Sequence, residues 1–101
     1  MAAAYLVVSY DVSDPEGFEP YTAGVIPLLA KHGAEVLVAD YESEQLEGSN
    51  GATTIVLKFE SEEAARGFYD DPDYAPVRQI RLDNTSNGRM VLVKEFVMPA
   101  G

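Results

Sequence analysis

Apolar positions recur along this chain with two different periods, and the switches between them delimit its elements. From Ala4 to Val12 the run Ala-Tyr-Leu-Val-Val-Ser-Tyr-Asp-Val is β-branched and aromatic, with apolar side chains on both alternating faces. A strand of that kind is covered on both sides rather than wet on one. Ser13-Asp14-Pro15-Glu16 then supplies a capping residue, an early proline and an acidic first turn, the start of a helix. Phe18, Tyr21, Val25, Leu29 and His32 follow at spacings of three and four, which places them on one helical face until Gly33 stops the helix. Pro20 and Pro27 each remove a backbone donor, so a kinked or divided helix is expected.

Ala34 to Tyr41 reads as a second strand. The Glu-, Ser- and Gly-rich stretch from Glu42 to Ala52 reads as an exposed hairpin connection in which Leu46 packs, with Gly48-Ser49-Asn50-Gly51 as its turn. Thr53 to Phe59 is the third strand. Ser61 caps a helix whose first turn carries Glu62 and Glu63, favourable at the positive end of the helix dipole. Pro72 ends it. Asp73 to Leu82 is helical again, with Tyr74, Val77 and Arg81 on one face, and Asn84 to Gly88 is a turn cluster. Met90 to Val97 forms the last strand, ended by Pro99.

This order predicts an α+β fold: a ferredoxin-like βαββαβ chain with a four-stranded antiparallel sheet and its helices on one face. The helices leave the second apolar sheet face uncovered. The simplest cover is a second copy, sheet against sheet about a twofold axis, so a homodimer is expected.

Composition narrows this picture. At 101 residues and 47% hydrophobic, the chain is expected to be a single globular domain spanning residues 1–101. It has no cysteine, which excludes disulfides, thiolate nucleophiles and soft metal ligands. The apolar run from Ala2 to Val8 lacks a basic flank and a cleavage pattern, and reads as a strand rather than a signal peptide. No run approaches the roughly 18 apolar residues of a membrane span, so a soluble, cytoplasmic protein is expected. A formal charge of −10 disfavours nucleic-acid and anionic-membrane partners. It also makes any inward-facing arginine an attractor for an anionic ligand.

The corner from Phe59 to Tyr74 carries a resemblance to a known family. Phe59-x-Ser61-x-Glu63-x-Ala65, the aromatic pair Phe68-Tyr69 and Pro72-Asp73-Tyr74 stand in the order found in the DUF1330 family (a domain of unknown function) of the dimeric α/β-barrel superfamily. Tyr5-Leu6 with Asp14-Pro15, Lys31-His32-Gly33, Leu46-Glu47-Gly48 and Arg81 seven residues after Tyr74 extend the resemblance over nearly the whole chain. Phe68 replaces a frequent tryptophan, and Ala34 a second glycine. The resemblance implies a dimer with a cavity in each monomer between the concave sheet face and the helices. Relatives in the superfamily include cofactor-independent monooxygenases, small isomerases, cyclases and haem enzymes, so the fold leaves the reaction open.

Candidate chemistry is sparse. His32 is the only histidine, so any imidazole acid–base step must use it; the competing reading is a residue that caps or packs the helix end. Asp11, in phase with Tyr5, Val7 and Ser9, is the other candidate base if burial raises its pKa, and otherwise a capping residue. Tyr21, Tyr69 and Tyr74 are candidate ligand contacts, because a buried phenol needs a hydrogen-bond partner; core packing is the alternative. Arg81 is the candidate clamp on an anionic or enolate-like group, against a salt bridge to Asp11 or Glu47. Arg78 reads as solvent-facing and Glu47 as a loop anchor. One histidine without a second is no transition-metal signature, and no phosphate loop or dinucleotide fingerprint occurs, so neither metal nor cofactor is expected.

The leading expectation is a homodimer binding a small organic, anionic molecule in a pocket within each monomer. The enzymatic form of it is cofactor-free oxygen or isomerase chemistry. The alternative is a non-catalytic carrier, or a regulatory or structural dimer.

Overall fold

A computed structural model describes residues 2–49 and 51–99, so Asn50 of the predicted hairpin turn lies outside the described residues. The elements run β1 (Ala4–Val12), α1 (Pro15–Lys31), β2 (Glu35–Asp40), β3 (Thr53–Phe59), α2 (Glu62–Tyr69), α3 (Tyr74–Asp83) and β4 (Thr85–Lys94). The four strands make one antiparallel sheet in the order β2-β3-β1-β4, the ferredoxin-like arrangement.

Alternation along β1 divides the sheet into two faces. Ala4, Leu6, Val8 and Tyr10 are buried towards the helices, where they meet Phe18, Tyr21, Val25 and Leu28 of α1 and Phe59, Phe68 and Tyr74. Tyr5, Val7 and Ser9 point the other way and remain half-buried. Across the ladders Tyr5 and Val7 stand beside Lys58 and Val56 of β3, and beside Val93 and Val91 of β4. The expected second apolar face is therefore present and uncovered in the single chain.

Asp14 caps α1 by accepting from the Gly17 amide at 3.2 Å, and Pro15 occupies the first turn, where its missing donor has no consequence. The helix is not divided at Pro20 or Pro27. Both prolines lie on its exposed side, and the carbonyls they leave unpaired belong to the exposed Glu16 and Ala23, within reach of water. Gly33 then takes a positive φ of 67°, which ends the helix as expected. Small residues let α3 lie close over α1. A Cβ on Gly24 would stand 3.0 Å from Val77, and one on Gly17 would run into Asn84. This approach sets the first and third helices' inward residues against each other.

Two expectations about the surface are corrected. The turn cluster from Asn84 to Gly88 is mostly strand, and β4 occupies Thr85–Lys94 rather than Met90 to Val97. A register shift opposite Ser9 and Asp11, with Asn87 at φ 54°, absorbs the turn-forming residues into the ladder. Leu46 does not pack: it is 86% exposed.

Candidate functional site

The chain turns sharply between α2 and α3. Ser61 accepts from the Ala64 amide at 3.1 Å to start α2, and after Tyr69 the carboxylate of Asp71 accepts from the Asp73 amide at 2.9 Å. That local bond turns the backbone through Pro72 into α3. Tyr74 and Arg81, seven residues apart, then fall on one inward face two turns from each other.

Both are buried, Tyr74 fully and Arg81 to 4% exposure. The Tyr74 hydroxyl lies 3.0 Å from that of Tyr21 on α1. Tyr10, at the end of the buried face of β1, completes the group. Phe18 packs against both Tyr10 and Tyr21, and Phe68 lies 4.6 Å from Tyr74 between ring centres. The cluster is thus polar at its centre and aromatic at its walls.

Its hydrogen bonding is incomplete. Tyr10 Oη and Arg81 Nε are buried without a partner. Arg81 also makes no ion pair with a carboxylate among the described residues, so neither Asp11 nor Glu47 neutralises it. Burial, reinforced by neighbouring phenols, pushes the Tyr10 and Tyr21 hydroxyls well above the ordinary tyrosine range, while Arg81 pulls more weakly the other way. Both therefore stay protonated and able to donate. A fixed cation beside neutral O–H donors, out of water, is suited to holding an oxyanion.

Tyr69 lies outside this cluster, at the surface. It is 38% exposed, and together with Arg81 it lines a cleft of about 340 Å³ that Thr85, Ser86 and Arg89 continue along β4. Arg78, expected to face solvent, is instead half-buried. Its guanidinium carbon stands 4.9 Å over the Tyr69 ring and 5.7 Å from that of Tyr74, and it donates to the Tyr69 carbonyl at 3.2 Å.

His32 and Asp11 make no hydrogen bond to this cluster. His32 Nε2 is 2.7 Å from Asp71 Oδ2, the oxygen that also accepts from Lys31 Nζ at 2.8 Å. Lys31, His32 and the Asp73 amide hold the Asp71 carboxyl far below the usual aspartate range. The histidine thereby fastens the end of α1 to the α2–α3 corner, its ring edge against Phe68. For Asp11 the pKa moves down rather than up. It accepts from the amides of Ala52 at 2.8 Å and Gly51 at 3.3 Å and from Asn87 Nδ2 at 2.9 Å, and these donors lower its pKa.

Of the residues singled out in the sequence, Tyr21 and Tyr74 pair, Tyr69 packs against Tyr74, and Tyr69 and Arg81 share a cleft. Tyr10, Asp71 and Arg78 were missed. Tyr10 had a usable signal, since it shares the phase of Leu6 and Val8 on the buried face of β1. Asp71 had only the Asp-Pro-Asp sequence of a turn, and its link to Lys31 and His32 joins positions some 40 apart. Among the described residues no cluster of His, Cys, Asp or Glu is arranged to hold a metal ion, and no helix is long and apolar enough to cross a membrane.

Comparison with solved structures shows the same architecture at low identity. A protein of unknown function from Rhodopseudomonas palustris is 14% identical, with 96% of this chain and 85% of that one covered at a TM-score of 0.79. SnoaB, a cofactor-independent oxygenase from Streptomyces nogalater, is also 14% identical, with coverage of 100% and 97% and a TM-score of 0.68. A dimeric ferredoxin-like protein of unknown function from Thermobifida fusca is 17% identical, with coverage of 90% and 89% and a TM-score of 0.63. No curated protein matches the sequence. The model of the domain of unknown function DUF1330 matches residues 3–96. The motifs of the α2–α3 corner and the fold around them agree with that match, and the chain belongs to the DUF1330 family.

Proposed function

We propose that this protein binds a small organic anion, or a molecule that becomes an enolate, with its charged oxygen on Arg81 where it lines the cleft, and with the tyrosine cluster of Tyr10, Tyr21 and Tyr74 buried behind it. One observation carries the reading: Arg81 is 4% exposed, has no carboxylate partner among the described residues, and leaves its buried Nε unpaired. A cation buried so incompletely satisfied is costly for a domain this small, and a bound oxyanion would satisfy it. The working unit in this proposal is a homodimer joined through the open sheet faces. The half-buried Tyr5, Val7, Val56 and Val91 support it, as do similar folds described as dimeric.

In its catalytic form the proposal is cofactor-free. Arg81 and the phenols stabilise an enolate, and oxygen or a proton then adds to carbon. The likeness to a cofactor-independent oxygenase supports the fold's capacity for such chemistry, and the fold alone. His32 or Asp11 would serve as base only after leaving Asp71, or leaving Gly51, Ala52 and Asn87. Those ties favour the second reading, a non-catalytic carrier with the same pocket.

Titration calorimetry with a panel of organic acids and their uncharged amides tests the shared core. Wild type is expected to prefer acids, and Arg81→Met to abolish the preference while remaining folded. An unchanged preference in that variant removes the site. Turnover of any bound acid that falls in His32→Gln, with binding intact, selects the enzyme over the carrier.

A further inference from the structure

The groove leading outward from Arg81 divides into two contiguous compartments of opposite chemistry. One, of about 160 Å³, is walled by Leu6, Ala65, Met90 and Leu92. The other, of about 340 Å³, is lined by Arg81, Thr85, Ser86 and Arg89. Tyr69 and Met90 line both, so a ligand can occupy the two at once.

The charge along this groove opposes that of the molecule. Seventeen acidic residues outnumber seven basic ones in the chain, yet no aspartate or glutamate lines either compartment. The four arginines gather here instead. Arg66 edges the apolar compartment, Arg81 and Arg89 line the polar one, and Arg78 stacks over Tyr69 between them. None of the four is ion-paired among the described residues, and Arg81 is buried. On a background of −10, the unpaired arginines make this groove the place on the chain best suited to an anion. The apolar compartment then sets the rest of the ligand. Dry protein cavities of roughly 150 Å³ accept a benzene ring, and here the exposed Tyr69 adds an aromatic wall.

We propose that the groove binds a single-ring aromatic carboxylate. Its ring fills the compartment between Leu6, Leu92 and Tyr69, and its carboxylate lies on Arg81, with Arg89 of the edge strand β4 at the rim. This rests on the anion-binding reading above and names the class of ligand.

The probes are benzoate and phenylacetate, with acetate lacking the ring and benzamide lacking the charge, titrated by calorimetry and by amide chemical shifts. Either aromatic acid is expected to bind at least about tenfold more tightly than acetate or benzamide, and Arg81→Gln to weaken it about 10- to 100-fold. Arg89→Gln lies on an exposed strand segment and gives a smaller loss in the same direction, which keeps the test sound if Arg81→Gln fails to fold. Leu92→Phe fills the apolar compartment and should weaken the aromatic acids while leaving acetate unchanged. Aromatic acids no tighter than acetate, with both still sensitive to Arg81, overturn the ligand class and leave the anion pocket standing. Acids bound equally by wild type, Arg81→Gln and Arg89→Gln, or not bound by any, overturn both.

Discussion

Arg81 sits where folding alone would not put a charge. It is 4% exposed, its Nε has no partner and no carboxylate among the described residues pairs with it, so its desolvation is repaid only in part. Arg81→Met, close in length and apolar, is therefore expected to stabilise the free protein by about 1–3 kcal/mol, raising its melting temperature by several degrees. Differential scanning calorimetry without ligand checks this, and a lower melting temperature would mean that the guanidinium has a stabilising role. The Tyr21–Tyr74 pair should behave in the opposite sense. Each hydroxyl is the other's partner at 3.0 Å in a buried setting, so Tyr21→Phe or Tyr74→Phe alone strands one polar group, at about 1–2 kcal/mol. The double substitution strands neither, and a urea-melt cycle should return a coupling near 1 kcal/mol. At this scale the helical residues were legible, because the seven-residue spacing of Tyr74 and Arg81 fixes a shared face. The missing counter-ion was not: whether a carboxylate reaches Arg81 depends on where Asp11 and Glu47 lie in space, which spacing does not encode.

Elements are held to one another by few polar links, and the one between α1 and the α2–α3 corner is pH-sensitive. Lys31 and His32 converge on one oxygen of Asp71, whose side chain is 5% exposed. The folded-state pKa of Asp71 is depressed, first by Lys31 and then by His32. Its contribution is thus fully present above the unfolded value of about 3.9 and is lost as pH falls below it. Lys31 has the opposite sign: its pKa is raised by the same contact, so its share persists until pH climbs past the ordinary lysine range. Asp71→Asn should lower the melting temperature at neutral pH and shrink the drop measured below about pH 4. Asp11, also depressed, keeps some of that drop in place. A variant with an unaltered acid limb would show that the corner is held by Phe68 packing instead. Most elements were readable because their signals are local: the Asp14 and Ser61 caps, the Gly33 stop, the alternation of β1. The first half of β4 was not, since Asn84 to Gly88 has turn chemistry and becomes strand only through the irregular ladder it makes with β1.

For the whole molecule the two faces of the sheet divide the work. The face towards the helices carries Leu6, Leu92, Tyr10 and the groove, while Tyr5, Val7, Val56 and Val91 lie on the other. This division was visible in β1 before any fold was known, because a strand apolar on both faces needs two covers. If the second cover is a twofold copy, a glutamate at Val7 places two like charges in an apolar seam. Val7→Glu should then sediment as a monomer at micromolar concentration, where the wild type sediments as a dimer. The melting temperature of the wild type should also rise with protein concentration, a dependence lost in the variant. A wild-type monomer under those conditions would remove the sheet-to-sheet dimer. The same variant separates assembly from binding. The groove lies across the sheet from Val7, so folded, monomeric Val7→Glu should bind benzoate as tightly as the wild-type dimer. Affinity lost together with dimerisation would mean that the partner completes the pocket, and the ligand would then have to be sought across the subunit boundary rather than within one chain.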